Sequence, residues 1–150
     1  MKKLTFTLFI LYIALGVYAG RHYTVIISLD GFRWDYPLMY DTPFLDSLGR
    51  EGVSAVMRPS FPSKTFPNHY TLATGLVPDH HGIIANRFYD VASGRTYSIG
   101  DTATVKDGSF YGGDPIWLTA KRQGVRVGVV YWPGSDVAIN GQYPDYWQDY

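Results

Sequence analysis

The sequence alternates short apolar stretches with segments of helical character, and this alternation limits the choice of fold more than any other feature. The predicted strands are His22–Leu29, Val53–Met57 and Val125–Tyr131, and the first and third have the continuous apolar character of strands buried on both faces. The predicted helices run from about Phe44 to Arg50, from Thr65 to Thr74 and from Pro115 to Arg122, with a glycine just beyond each. Such alternation predicts an α/β fold in which helices and a sheet form layers.

Two further segments complete this outline. Residues 86–97, interrupted by Ser93 and Gly94, have the pattern of a β-hairpin. The last residues, Tyr143–Tyr150, are aromatic and loop-like, and no closing helix or strand is expected there. We therefore expect the chain to contain an incomplete domain.

The first residues have the pattern of an export signal. Lys2 and Lys3 precede an apolar run over residues 4–17, and small residues near Ala19 suit a cleavage site. A membrane anchor is the alternative, but a spanning helix needs roughly 20 apolar residues and this run is shorter. We expect residues 1–19 to be a signal peptide, with the mature protein periplasmic or secreted in a bacterium and without a membrane span.

Composition excludes several classes of function. The chain has 13 basic and 13 acidic residues, so its bulk charge does not favour binding to nucleic acid. A hydrophobic fraction of 46% and a charged fraction of 17% are typical of a globular protein. There is no cysteine, which excludes disulfides, thiolate nucleophiles and thiolate metal sites. Any metal must be held by carboxylate, imidazole, hydroxyl or amide groups.

Two residues lie where α/β proteins place their active sites. Asp30 follows the first predicted strand, and in open α/β sheets sites gather at the carboxyl ends of strands. Its carboxylate could hold a cation, or it could simply form a turn. Thr65 begins a predicted helix, where unpaired amides and the helix dipole favour an anion. A divalent metal could activate its hydroxyl for attack on phosphorus, or the residue could merely cap the helix.

Other polar residues are compatible with both functional and structural roles. The side-chain amide of Asn86 could donate to a phosphate oxygen or hold a turn. His69, His80 and His81 suggest a metal cluster, but their spacing matches no established zinc motif. For these three histidines we favour structural roles.

The order of several short motifs is much more specific than any one of them. The motifs are LDGFR at 29–33, PSFPSKTFPNHY at 59–70, TGLVP at 74–78, HGIIAN at 81–86, FYD at 88–90, GDPIW at 113–117 and WPGSD at 132–136. In this order they closely resemble the start of the nucleotide pyrophosphatase/phosphodiesterase catalytic domain, within the alkaline phosphatase superfamily. The resemblance extends from about residue 23 to about residue 142.

The resemblance implies roles for four residues. Asp30 corresponds to the first metal-binding aspartate of the family, and Thr65 to its metal-bound nucleophile. Phe66 corresponds to a position whose backbone amide and ring face the substrate. Asn86 corresponds to the asparagine whose side chain contacts a non-bridging phosphate oxygen. None of the three histidines matches a metal ligand of the family.

The resemblance also implies a fold, a cofactor and an activity. Residues 20–150 are expected to be the N-terminal part of an alkaline-phosphatase-like α/β/α sandwich, truncated before the remaining metal ligands. Two divalent ions, expected to be Zn²⁺, would lie beside the phosphorus of a small phosphodiester or nucleotide substrate while Thr65 forms a covalent intermediate. The expected activity of the full-length parent is hydrolysis of phosphodiester or pyrophosphate bonds. The isolated chain is expected to be inactive, because a tetrahedral zinc site needs about four ligands.

Two other interpretations remain open at this point. An enzyme of the same superfamily, with the same fold and metals, could prefer phosphate monoesters. Alternatively, an exported α/β domain could bind phosphorylated ligands without turning them over. The substitution Thr65→Ala separates these classes, since an enzyme loses turnover whereas a binding protein keeps its affinity.

Overall fold

Groups of helices and pairs of short strands follow one another along residues 23–150, the part of the chain that this computed structural model describes. The predicted signal peptide, residues 1–19, lies outside the described residues. The α-helices are α1 (Tyr36–Met39), α2 (Pro43–Glu51), α3 (Thr65–Thr74), α4 (Pro78–His81), α5 (Thr102–Val105) and α6 (Ile116–Arg122), and Gly108–Phe110 form a 3₁₀ turn. The strands are β1 (Arg87–Asp90), β2 (Arg95–Ser98), β3 (Gly128–Val130) and β4 (Tyr146–Gln148). No helix in this part of the chain is long and apolar enough to cross a membrane.

The three predicted helices are confirmed as α2, α3 and α6, each within about one residue of its expected ends. Local chemistry explains this accuracy. A proline begins α2, where its fixed φ angle suits the first helical turn. Gly75 ends α3 with a φ angle of 70°, a left-handed conformation that glycine adopts without steric cost.

The strands form two separate pairs. β1 and β2 make the predicted antiparallel hairpin, with Arg87 opposite Ser98 and Asp90 opposite Arg95. β3 confirms the third predicted strand, shortened to Gly128–Val130, and it pairs in parallel with β4.

The expectation that Tyr143–Tyr150 ends without a strand is wrong, because β4 lies in this tail. Several contacts hold it beside β3. The Asp145 carboxylate accepts the Val127 amide at 2.9 Å, and the Tyr146 amide donates to the Val127 carbonyl at 3.1 Å. The Lys106 ammonium also reaches the Asp149 carboxylate at 2.8 Å. Aromatic side chains suit strands, so tertiary contacts turn an apparently loop-like segment into one.

The predicted strands over residues 22–29 and 53–57 are not formed in the described residues. Residues 23–29 and 53–57 have no strand pairing, and their apolar side chains are largely exposed, as in Val53 at 99%. A parallel strand requires a neighbour on its hydrogen-bonding edge. Within residues 23–150 the one parallel pair is β3 with β4, and neither strand forms a ladder with these segments.

The core lies around the inner face of α3. Its buried apolar residues are Phe66, Tyr70, Ala73, Ile83, Tyr97, Phe110, Tyr111, Trp117, Leu118, Val137 and Ile139. The Tyr111 hydroxyl donates to the Val105 carbonyl at 2.7 Å and lies 2.8 Å from the Tyr97 hydroxyl, which must therefore donate to it. This packing fixes α3 along its length while its first residue remains accessible at the surface.

Candidate active site

The two candidate metal ligands meet at the N-terminus of α3. The Thr65 hydroxyl donates to the Asp30 carboxylate, with 3.2 Å between Oγ1 and Oδ2, although the residues are 35 positions apart. Thr65 is half-buried and Asp30 is exposed. Gly31, with a φ angle of 66°, allows the chain to turn directly after Asp30. The sequence-predicted pair is therefore brought together at an accessible surface.

Asn86 joins this site through the backbone of Phe66. The Phe66 amide donates to Oδ1 of Asn86 at 3.2 Å, and the Asn86 carbonyl accepts the Ile99 amide at 3.0 Å. Because Oδ1 accepts this bond, Nδ2 is the end of the side chain that can donate to a further acceptor. All four sequence-predicted residues thus lie within one hydrogen-bonded region around the first turn of α3.

Phe66, the residue after Thr65, has both its amide and its ring engaged within the chain. Its amide is engaged with Asn86, and its ring is only 1% exposed. The ring packs edge-on against Tyr150, with 5.0 Å between the ring centroids. Tyr150 is itself exposed, and it lies in the tail that the sequence analysis described as loop-like. A role for Phe66 in facing a substrate stays a prediction.

Asn68 holds the loop that leads into Thr65, and the sequence analysis did not single it out. Its Oδ1 accepts the Ser60 amide at 2.8 Å, and its Nδ2 donates to the carbonyls of Pro62 at 2.9 Å and Lys64 at 3.1 Å. The only sequence signal was a polar residue in the first turn of a helix that follows a proline-rich loop. The backbone approaching Thr65 is therefore constrained by one side chain.

His69 and His81 both use their ring nitrogens within the chain. Nδ1 of His69 lies 2.9 Å from the Thr65 carbonyl, and its Nε2 lies 3.1 Å from the Ser28 hydroxyl. In His81, Nδ1 accepts the Ile83 amide at 3.2 Å, so Nε2 of the neutral ring donates to the Thr71 hydroxyl at 3.0 Å. Burial lowers the pKa of His81. These bonds agree with the structural roles that we favoured for both rings.

Asp30 and Thr65 fit part of a metal site. A carboxylate and a hydroxyl side by side at an exposed position provide two oxygen donors of the kind that divalent cations accept. Within residues 23–150, however, no group of three or more histidine, cysteine or acidic side chains is arranged to hold a metal ion. The described residues therefore supply a partial ligand set.

Comparison of the sequence with protein families matches residues 24–150 to the family described as type I phosphodiesterase/nucleotide pyrophosphatase. Ectonucleotide pyrophosphatase/phosphodiesterase family member 3 of Bos taurus is 46% identical over 130 residues, which are 84% of this chain and 15% of that protein. Family member 1 of Homo sapiens is 44% identical over 130 residues, covering 85% of this chain and 14% of the relative. Venom phosphodiesterase 2 of Crotalus adamanteus is 43% identical over 129 residues, which are 84% of this chain and 16% of that protein. The chain thus spans about 15% of the length of these relatives.

Solved structures match in three dimensions as well. An inactive variant of murine ectonucleotide pyrophosphatase/phosphodiesterase 5, in complex with AMP, superimposes with a TM-score of 0.75 at 39% identity, covering 82% of this chain and 33% of that one. The human counterpart gives a TM-score of 0.73 at 37% identity, and the match covers 82% of this chain and 33% of the human one. The predicted α/β, alkaline-phosphatase-like fold class is thereby confirmed, with the chain forming a part of the domain.

Proposed function

Because the chain belongs to the type I phosphodiesterase/nucleotide pyrophosphatase family, we propose that the complete protein hydrolyses phosphodiester or pyrophosphate bonds in nucleotide-type substrates. The observation that carries this proposal is the contact between Thr65 Oγ1 and Asp30 Oδ2 at 3.2 Å. It joins the proposed nucleophile to a carboxylate from a distant part of the sequence. The complex of the murine relative with AMP supports the choice of substrate class.

Thr65 is the proposed nucleophile, and its position explains how a weak acid could react. It is the first residue of α3, where the positive end of the helix dipole favours the negative charge of a phosphate and of a developing alkoxide. Two divalent ions, proposed to be Zn²⁺ and held in part by Asp30 and Thr65, would make this hydroxyl partly alkoxide and stabilise the leaving oxygen. In the proposed reaction Thr65 Oγ1 loses its proton to solvent and bonds to phosphorus as the bond from phosphorus to the leaving alcohol or phosphate breaks. Water then attacks the phosphorus of this ester, which breaks its bond to Thr65 Oγ1 and restores the hydroxyl.

Asn86 is proposed to stabilise charge on a non-bridging phosphate oxygen. Its Oδ1 is already fixed by the Phe66 amide at 3.2 Å, so its Nδ2 group is oriented before the substrate binds. A donor that needs no rearrangement stabilises the transition state more than a mobile one. The Phe66 amide thus acts on the substrate through Asn86 in this proposal.

We propose that the protein acts outside the cytoplasm. The signal-peptide pattern of residues 1–19 supports this location, and the relatives named above are ectoenzymes or venom enzymes by name. Those relatives come from animals, and a periplasmic location in a bacterium stays a prediction.

Hydrolysis by the complete gene product, expressed without residues 1–19, tests the proposed function. The diester p-nitrophenyl thymidine monophosphate is compared with p-nitrophenyl phosphate, with and without chelator, for the wild type and for Thr65→Ala. Ser63→Ala, which removes an exposed hydroxyl two residues earlier, is the matched control. We expect diester turnover that chelator and Thr65→Ala both abolish and that Ser63→Ala leaves unchanged.

The remaining outcomes decide between the alternatives. Preference for the monoester, with the same sensitivity to chelator and to Thr65→Ala, would assign the protein to the phosphatases of the superfamily. Absence of chelator-sensitive turnover of either ester in a folded, zinc-loaded sample would contradict the enzyme assignment. Retained affinity for AMP in that sample would then favour a binding protein.

A further inference from the structure

The segment that carries Asp30 has few attachments to the rest of the described chain. Residues 23–30 form no strand pairing, and Ser28 alone among them is partly buried. Two side-chain hydrogen bonds attach the segment to α3: Thr65 Oγ1 to Asp30 Oδ2 at 3.2 Å, and Ser28 Oγ to His69 Nε2 at 3.1 Å. Within residues 23–150, no other hydrogen bond joins the segment to anything beyond its own following turn. Within the described residues, the Ser28–His69 bond is therefore one of the two side-chain contacts that fix where Asp30 lies relative to α3.

The hydrogen-bonding roles at His69 are fixed by its partners. The Thr65 carbonyl can only accept, so Nδ1 of His69 carries a proton and donates it at 2.9 Å. In the neutral ring Nε2 is then an acceptor, and the Ser28 hydroxyl donates to it at 3.1 Å. One imidazole thus bridges the residue that carries the proposed nucleophile and the segment that carries the proposed metal-binding carboxylate.

Trp132 supports this bridge from another side. Its indole Nε1 donates to the His69 carbonyl at 3.0 Å, and its ring lies edge-on to the imidazole with 5.5 Å between centroids. Trp132 therefore contacts both the backbone and the ring of His69, in addition to the two bridging bonds.

We propose that His69 is a positioning residue that holds the Asp30 carboxylate beside the Thr65 hydroxyl. It does so through its two hydrogen bonds, one with the Ser28 hydroxyl and one with the Thr65 carbonyl. The proposal rests on the proposed function, since the alignment matters only if Asp30 and Thr65 share a metal ion. Outer partners that orient metal ligands typically change metal affinity or activity 10- to 100-fold when they are removed.

The test uses the complete gene product and removes the bridge from either end. Ser28→Ala deletes one hydroxyl, His69→Ala deletes the ring, and the double variant deletes both. We expect kcat for the nucleotide diester to fall about 10-fold in Ser28→Ala and about 100-fold in His69→Ala, with KM nearly unchanged. The double variant is expected to be no worse than His69→Ala, because both substitutions break the same bridge.

A second readout is independent of turnover. Each variant is loaded with zinc and dialysed against graded concentrations of chelator, and the zinc retained per protein is measured. Both single variants are expected to lose zinc at about a 10-fold lower chelator concentration than the wild type. Should His69→Ala fail to fold, Ser28→Ala alone still decides the question through both readouts.

Two further variants separate alignment from general stability. Thr71→Ala removes the same kind of hydroxyl–imidazole bond from the same helix, the 3.0 Å contact with His81, which lies outside the proposed site. It is expected to lower the melting temperature without changing kcat or zinc retention. Ser28→Thr keeps the hydroxyl, and it is expected to retain both wild-type kcat and wild-type zinc retention.

The controls also distinguish failure of this inference from failure of the proposed function. If Thr65→Ala abolishes turnover but Ser28→Ala and His69→Ala behave like Thr71→Ala, only the positioning role is wrong. Additive losses in the double variant would likewise contradict a shared bridge. If Thr65→Ala retains turnover, the proposed function is wrong and the positioning role falls with it.

Discussion

Single side chains near Thr65 show how much of this site depends on one donor or one acceptor. Asn86 separates the two ends of its amide, with Oδ1 accepting the Phe66 amide at 3.2 Å and Nδ2 left as the donor. Asn68 uses both ends of its amide on the backbone of the loop that precedes Thr65. The first arrangement prepares a contact with a substrate, whereas the second fixes the main chain.

Asn86→Asp tests the donor role of Asn86 directly. The aspartate keeps an oxygen for the Phe66 amide, but it cannot donate to a phosphate oxygen and it adds negative charge. We expect kcat of the complete protein to fall by roughly 10²–10³, the loss typical of one oxyanion donor, with little change in melting temperature. Steady-state kinetics and thermal melting measure the two effects. A variant with wild-type kcat would show that Asn86 does not contact the reacting phosphate.

His81 predicts a pH dependence of stability. Burial lowers its folded-state pKa below the unfolded value near 6.5, so the unfolded chain takes up the proton first as the pH falls. The stabilisation of the folded state by neutral His81 is therefore complete above pH 6.5, and it is lost as the pH falls through the lowered folded-state pKa. We expect the melting temperature to drop more between pH 7.5 and 5.5 in the wild type than in His81→Asn. His80→Asn, at an exposed neighbouring position, should keep the wild-type drop.

At the scale of elements, local sequence signals predicted the helices well and the strands less well. Helix ends depend on nearby prolines and glycines, and α2, α3 and α6 appear close to where these residues placed them. Strands depend on partners far along the chain, which local sequence does not reveal. Residues 23–29 were predicted as a strand but have no strand partner among the described residues, whereas Tyr146–Gln148 were predicted as a loop but pair with β3.

The candidate site shows the same division between local and distant information. The motif order identified Asp30, Thr65 and Asn86, and the structure brings them around the start of α3. The bond from the Phe66 amide to Asn86 and the bridge through His69 could not be predicted from spacing. Both join residues far apart in the sequence, 20 positions for Phe66 and Asn86 and 41 positions for Ser28 and His69.

Two glycines at different places in helices should respond to the same substitution in opposite ways. Gly75 follows α3 with a φ angle of 70°, so Gly75→Ala is expected to lower the free energy of unfolding by about 1–2 kcal/mol. Gly49 lies inside α2 at an ordinary helical φ, and an added Cβ would have no atom within 4 Å. Gly49→Ala should therefore raise the free energy of unfolding by about 0.5–1 kcal/mol. Urea denaturation measures both. Equal signs would mean that backbone conformation does not govern these positions.

Considered as a whole, residues 23–150 combine a packed region with an exposed one. The buried core residues all fall between Phe66 and Ile139, whereas residues 23–57 contain none. The proposed site lies where the two regions meet, since Thr65 belongs to the first and Asp30 to the second. Its geometry therefore depends on how firmly the exposed region is attached.

This difference predicts the pattern of amide hydrogen exchange in the 150-residue chain. Amides in residues 23–30 and 53–57 lack ladder partners among the described residues and should exchange quickly. Amides in α3 and in the β1–β2 hairpin, which surround the core, should exchange slowly. Mass spectrometry of peptic fragments resolves these regions. Slow exchange in residues 23–30 would show that the segment is held by more than its two bonds to α3.

The hydrogen bond between the Phe66 amide and Asn86 has a practical consequence for spectroscopy. An amide proton shifts with the strength and angle of its hydrogen bond, so the ¹⁵N–¹H resonance of Phe66 reports on the orientation of the Asn86 side chain. Labelling phenylalanine alone places at most eight such signals in the spectrum. Titration with a nucleotide would then follow the adjustment of Asn86 in solution through a backbone resonance, without introducing a probe into the site.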